Sequence, residues 1–213
     1  MRPPGSAKDS PRSAERPSGV RVRSHWFKSE RPKTVEEIAG AVAFIVWRVA
    51  QQALRNMRSA DFEIEVGPRF FAFLAEWLAF LAQVTDRTAY ERFGEGRLGF
   101  TTVVANRLGE TLAGNRSDLL GSEGGADQKS AFIDLFNLRL DDYVDFGLDD
   151  YGRMRYLAQK LAQVVGPHDQ LWIHEQVMEI EAPQAVGQIH KAILDLLGEG
   201  PRRGRRPGAV GGE

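Results

Sequence analysis

Six aspartates, Asp134, Asp141, Asp142, Asp145, Asp149 and Asp150, fall within 17 residues of a 213-residue chain. On a helix over residues 127–146, Asp141 and Asp145 sit four apart on one face, with Asp134 two turns upstream. Like charges at that spacing repel by about a few tenths of a kcal/mol per pair. A hard divalent cation relieves such repulsion, because Mg²⁺ and Ca²⁺ take carboxylate oxygens as ligands. Asp141, Asp142 and Asp145 are therefore the candidate metal ligands, and Mg²⁺ is the cofactor they imply. The same residues also fit a plainer role. They can form a solvated helix face, followed by Asp149 and Asp150 stabilising the start of a helix over residues 151–165.

The order Asp141-Asp142-Tyr143-Val144-Asp145 resembles the Asp-Asp-x-x-Asp motif of helical isoprenoid-diphosphate enzymes. In that family the carboxylates hold Mg²⁺ against a diphosphate, so the resemblance implies a Mg²⁺-dependent enzyme acting on a phosphorylated substrate. It spans five residues, and the second acidic motif of those enzymes is missing. The following Asp145-Phe-Gly-Leu-Asp149 is not an EF-hand loop, since it lacks the alternating ligands and the closing Glu.

Other chemistry is sparse. Cysteine is absent, which excludes disulfides, zinc–thiolate sites and a Cys nucleophile. Four histidines occur, His25, His168, His174 and His190. None has a Glu three residues before it, and no His-Glu-x-x-His occurs, so a carboxylate-bundle or zincin metal site is not expected. Gly-x-Ser-x-Gly and the phosphate-loop patterns are also missing. No catalytic residue is assigned, and no cofactor is expected outside the Mg²⁺ alternative.

The elements that must position these residues read as helices. Thr34-Val-Glu-Glu37 is a capping box, and Ile38, Val42, Ile45, Val46, Val49, Ala53 and Met57 follow as one apolar stripe. Phe62–Val66 alternates with period two but is short, so an extended connector is expected. Gly67-Pro68 then opens a helix to about Val84. Its Phe, Trp and Leu residues cover more than one face, which marks a central helix surrounded by others. A short helix capped by Asp86 is expected next, then a break over residues 94–99, and a helix from about Thr101. A loop over residues 114–126 and a helix from Asp127 follow. Gly166-Pro167 should stop the helix after Gly147. Asp169 should cap the next helix, with Leu171, Trp172, Val177 and Met178 inward, and Pro183 should break or kink the run. The last helix carries Val186, Ile189, Ile193, Leu196 and Leu197. The expected fold class is all-α, a single bundle of six to seven helices.

Charge divides the chain differently. Residues 1–33 carry nine Lys/Arg against three Asp/Glu, and residues 201–213 carry four Arg against one Glu. Residues 34–200 carry 15 basic and 25 acidic side chains, a net of −10. The expected organisation is a disordered basic tail over 1–33, a helical domain over 34–200, and a disordered Arg/Gly/Pro tail over 201–213. In the tails, Arg23, Trp26, Phe27 and Lys28 interleave cations with aromatics, and Arg202, Arg203, Arg205 and Arg206 form a basic tract. Both are candidate partner-binding residues, for protein, nucleic acid or an anionic membrane. No apolar run approaches the roughly 20 residues of a bilayer span, and no secretory signal is legible. The expected location is the cytoplasm. The expected function is macromolecular binding, as an adaptor, regulator or small subunit, with the Mg²⁺-dependent enzyme as the alternative.

Overall fold

The computed structural model describes residues 33–121, 125–147 and 149–197. Apart from Lys33, both expected tails lie outside these residues. The described chain is helical, with no strand among its residues.

Helix α1 (Val35–Ser59) begins where the capping box places it. The Glu37 amide donates to Thr34 Oγ1 at 3.2 Å, and the Thr34 amide donates to the Glu37 carboxylate at 3.0 Å. Its stripe from Ile38 to Met57 is buried except for the half-buried Ile45, together with Trp47 and Leu54. The helix ends in a left-handed turn at Asp61 (φ 65°), and the Phe62 amide closes back on the Met57 carbonyl at 3.1 Å. Asp replaces the usual glycine in this Schellman-type stop, which short polar side chains tolerate. Phe62–Val66 forms no regular structure, as its length requires. Phe62 and Ile64 are buried and Glu63 faces outward, so the period-two pattern anchors the connector on the core.

Pro68 opens α2 (Pro68–Phe93), where its missing N–H costs no helical bond. Every residue from Phe73 to Thr85 is buried, including Glu76, Gln83 and Thr85. Helix α2 touches α1, α3 (Arg97–Leu120), α4 (Gly125–Val144), α5 (Asp150–Ala162) and α7 (Ala182–Leu196). Gly109 lets α3 and α4 approach closely, since a Cβ there would stand 3.2 Å from Lys129 and 3.3 Å from Phe132.

The breaks between helices are fewer than the punctuation suggests. Asp86 does not cap a separate helix, because α2 runs through it to Phe93. Its carboxylate instead accepts the Thr101 hydroxyl at 2.5 Å and pairs with Arg97 at 3.4 Å, stapling α2 to α3. Only Gly94–Gly96 separates the two helices, as a single tight turn with Gly94 at φ 52°. The loop expected over 114–126 is mostly helix, since α3 continues to Leu120 and α4 starts at Gly125.

The C-terminal run also departs from expectation. Asp169 caps nothing. It is buried, and its carboxylate accepts the Glu63 amide at 2.9 Å, which fixes the connector to a short turn over Asp169–Leu171. Leu171 and Trp172 point outward, 81% and 61% exposed, and Ile173 is buried instead, whereas Val177 is buried as expected. Helix α6 (Ile173–Glu175) passes into a π-helical stretch, Gln176–Glu181, and then into α7. Pro183 does not break the run. Proline cannot donate to the carbonyl four residues back, and the widened π turns just before it absorb that defect without ending the helix. The buried Glu181 carboxylate in this stretch accepts from Asn56 at 3.0 Å and Gln176 at 3.1 Å.

Candidate functional site

The aspartate segment separates into three environments. Asp134, Asp141 and Asp145 are exposed. Asp142 turns inward and accepts hydrogen bonds from Arg139, at 2.9 Å, and from the Tyr156 hydroxyl. Asp149 precedes α5 without a side-chain capping bond, so only its carbonyl serves the helix, accepting the Arg153 amide at 3.2 Å. Asp150 sits in the first turn, between Arg87 at 2.8 Å and Arg153 at 3.3 Å. Asp141, Asp142 and Asp145 are thus not brought to one point. Among the described residues no group of three or more His, Asp or Glu side chains is placed to hold a metal ion. His168, His174 and His190 are exposed. The hydrogen bond to Asp169 holds the His168 ring above the ordinary histidine range. His25 and the candidate residues Arg23, Trp26, Phe27, Lys28, Arg202, Arg203, Arg205 and Arg206 lie outside the described residues.

Asp142 belongs to a network that the sequence did not announce. Arg139 on α4 grips Glu76 on α2, with Nη2 to Oε1 at 2.6 Å and Nε to Oε2 at 2.8 Å. Both side chains are about 10% exposed, at 10% and 9%. The guanidinium lies over the Tyr156 ring at 5.8 Å, and the buried Tyr143 meets that ring edge-on at 5.3 Å. The hydrogen bond to Glu76 holds the Arg139 proton more firmly than usual, against the effect of burial. Burial raises the Tyr156 hydroxyl, and its bond to Asp142 raises it further. Burial alone would raise Asp142 as well, but the bonds from Tyr156 and Arg139 outweigh it and hold the carboxyl below the usual range. Glu76, Arg139, Asp142 and Tyr156 each find a hydrogen-bond partner within the cluster. Chemically the arrangement is a closed ion-pair cluster that ties α2, α4 and α5 together. The only signals in the sequence were a lone Glu in the apolar run of α2 and a lone Arg within Phe136–Leu140.

Two hollows open at the C-terminal end of α2. One is a groove of about 700 Å³ between α2, α3 and α4. Gln83 lies in its wall with a buried Oε1 that accepts no hydrogen bond, and Asp141 lines it from α4. Tyr90, Leu98 and Val144 form its rim, exposed by 61%, 68% and 74%. Arg97 rests over the Tyr90 ring at 5.3 Å. The other hollow, of about 480 Å³, lies between α2, α5 and α7. Arg87 and Arg153 line both.

The chain matches no protein-family model, no curated protein and no solved structure.

Proposed function

We propose that this chain is a binding module that holds a partner protein in the groove between α2, α3 and α4, without turnover. The observation that carries the reading is the rim of the groove. Three large apolar or aromatic side chains, Tyr90, Leu98 and Val144, surround one concavity and are each more than half exposed. Apolar exposure of this kind around one concavity costs solubility and marks interaction surfaces, and tyrosine is a residue type that suits an interface anchor. The charge of the surroundings selects the partner. The groove lining itself mixes Asp86 and Asp141 with Arg87, Arg97 and Arg153, whereas Asp145 is exposed beside Val144 and the wider body over residues 34–200 carries a net charge of −10. The fitting partner segment presents an apolar side chain flanked by Lys or Arg.

A photo-crosslinking residue at Leu98 tests this, with the same residue at the exposed Phe44 on α1 as control. A discrete crosslinked species is expected at Leu98 alone, removed by Val144→Asp, with the captured peptide basic and apolar. Equal crosslinking at both positions, or indifference to Val144→Asp, contradicts the reading. The Mg²⁺-dependent enzyme acting through Asp141, Asp142 and Asp145 is the alternative. It has less support, since Asp142 is held by Arg139 and Tyr156.

A further inference from the structure

The unpaired charge along the groove lies on one bank. Arg97 is paired with Asp86, Arg87 and Arg153 share Asp150, and Arg107, exposed on α3, is paired with Glu110. Both cations of α4 are engaged as well, Lys129 with Glu110 and Arg139 with Glu76 and Asp142. That leaves Asp127, Asp134 and Asp141 on α4, with Asp145 just past its end. All four are exposed, and none has an ion-pair partner among the described residues.

Asp127, Asp134 and Asp141 recur every seven residues. On a helix they share one face, about 10.5 Å apart along the axis. Leu138, more than half exposed, lies on the same face, and Asp141 and Val144 line the groove beside it. The spacing selects the form of chain that can match the row. In a strand, same-side residues repeat about every 6.7 Å, so none falls opposite the second aspartate. A helix packed at about 20° to α4 presents the same face every seven residues, with the same rise of about 10.5 Å. It stays in register along all three.

We infer that the partner segment is an amphipathic α-helix lying along α4. Its apolar face rests on the rim of the groove, and a Lys or Arg at every seventh residue meets Asp141, Asp134 and Asp127 in turn. The three aspartates span about 21 Å, which about four turns of partner helix cover. Unpaired acid on one bank, met by base on one flank of the helix, also fixes the register of the docked segment. The inference rests on the groove being the docking surface, and it adds the conformation and charge spacing of what docks there.

Fluorescence anisotropy of labelled three-heptad peptides with the full chain tests this. The first peptide has Leu at the first and fourth positions of each heptad and Lys at the fifth. The second has Glu in place of each Lys, and the third has the composition of the first with its Leu residues alternating as in a strand. The first should bind at one site, and the other two at least about tenfold more weakly. Asp134→Asn, Asp141→Asn should weaken the first peptide by about tenfold at low salt, as expected for two surface ion pairs near the upper end of their usual strength. The difference from the parent chain should close at high salt, where exposed charges are screened. Val144→Asp should abolish binding. The inference is overturned if the first peptide does not bind, binds no better than the other two, or binds equally well to the double variant. In the last two cases, loss of binding with Val144→Asp leaves the groove standing as a docking surface, whereas indifference to Val144→Asp removes the groove and the helix together.

Discussion

Glu76 and Arg139 meet across the contact of α2 with α4 as a two-pronged ion pair, with hydrogen bonds of 2.6 and 2.8 Å inside the bundle. Glu76 lies in the longest continuously buried stretch among the described residues, Phe73–Thr85. Burial of two ions is itself costly, and their mutual attraction repays that cost only because both ends of the guanidinium are used. Its effect is therefore asymmetric. Removing one member is far worse than removing both.

Glu76→Ala should destabilise the fold by about 3–5 kcal/mol, because it leaves the Arg139 charge buried without its partner. The double variant Glu76→Leu, Arg139→Met should recover most of that loss, since packed apolar side chains often replace a buried ion pair at little net cost. Urea unfolding of the wild type, Glu76→Ala, the singles Glu76→Leu and Arg139→Met, and the double variant checks this. A double variant as unstable as the sum of its singles would show that the pair contributes no coupling.

The same cluster sets the pH limits of stability. Asp142 is held below its ordinary range, so its contribution is present above about pH 4 and is lost as the pH falls through its lower folded value. Tyr156 is held above its ordinary range, so its contribution is present below about pH 10 and is lost as the pH rises toward its higher folded value. Tyr143, buried against it, titrates high for the same reason, burial foremost. Melting temperature against pH should therefore fall at both extremes. Asp142→Asn should flatten the acid limb and Tyr156→Phe the alkaline limb.

Much of this could be read from local sequence, and the failures have identifiable causes. The Thr34–Glu37 box and the stripe of α1 are legible because capping and 3.6-residue periodicity act within one turn. The all-helical class follows from that periodicity repeated along the chain. Asp86 and Asp169 misled because a carboxylate at a plausible cap position is equally suited to a distant donor. Thr101 and the Glu63 amide, 15 and 106 positions away, are invisible to local spacing. Leu171 and Trp172 misled because the turn over Asp169–Leu171 rotates the register before α6 begins. The pairing of Glu76 with Arg139 spans 63 positions, and nothing local names the partner. Of the candidate site residues, Asp142 was legible as an unusual acid, but its donors Arg139 and Tyr156 were not.

Two glycines separate local propensity from packing. A Cβ on Gly152 would stand 2.5 Å from the Asp149 carboxylate and 2.8 Å from the Phe146 ring, whereas one on Gly187 meets nothing within 4 Å. Both lie in helices, where alanine is intrinsically better by about 0.8–1 kcal/mol. Gly187→Ala should raise the stability by roughly that amount. Gly152→Ala should lower it by about 1–3 kcal/mol through overpacking at the start of α5. Thermal melts of the two single variants decide the matter.

Millimolar Mg²⁺ distinguishes the two functional readings. With Asp142 committed to Arg139 and Tyr156, the melting temperature should not move. A rise with Mg²⁺, strengthened by pyrophosphate and lost in Asp141→Asn, Asp145→Asn, would favour the metal-dependent enzyme.

The most direct test compares two changes at the Leu98 crosslink. Glu76→Leu, Arg139→Met alters the buried cluster and leaves the rim of the groove intact, while Val144→Asp alters only the rim. The partner crosslink should persist in the first and vanish in the second. Loss of the crosslink in the folded cluster variant, with retention in Val144→Asp, would contradict a binding surface at the groove and move the function to the buried cluster.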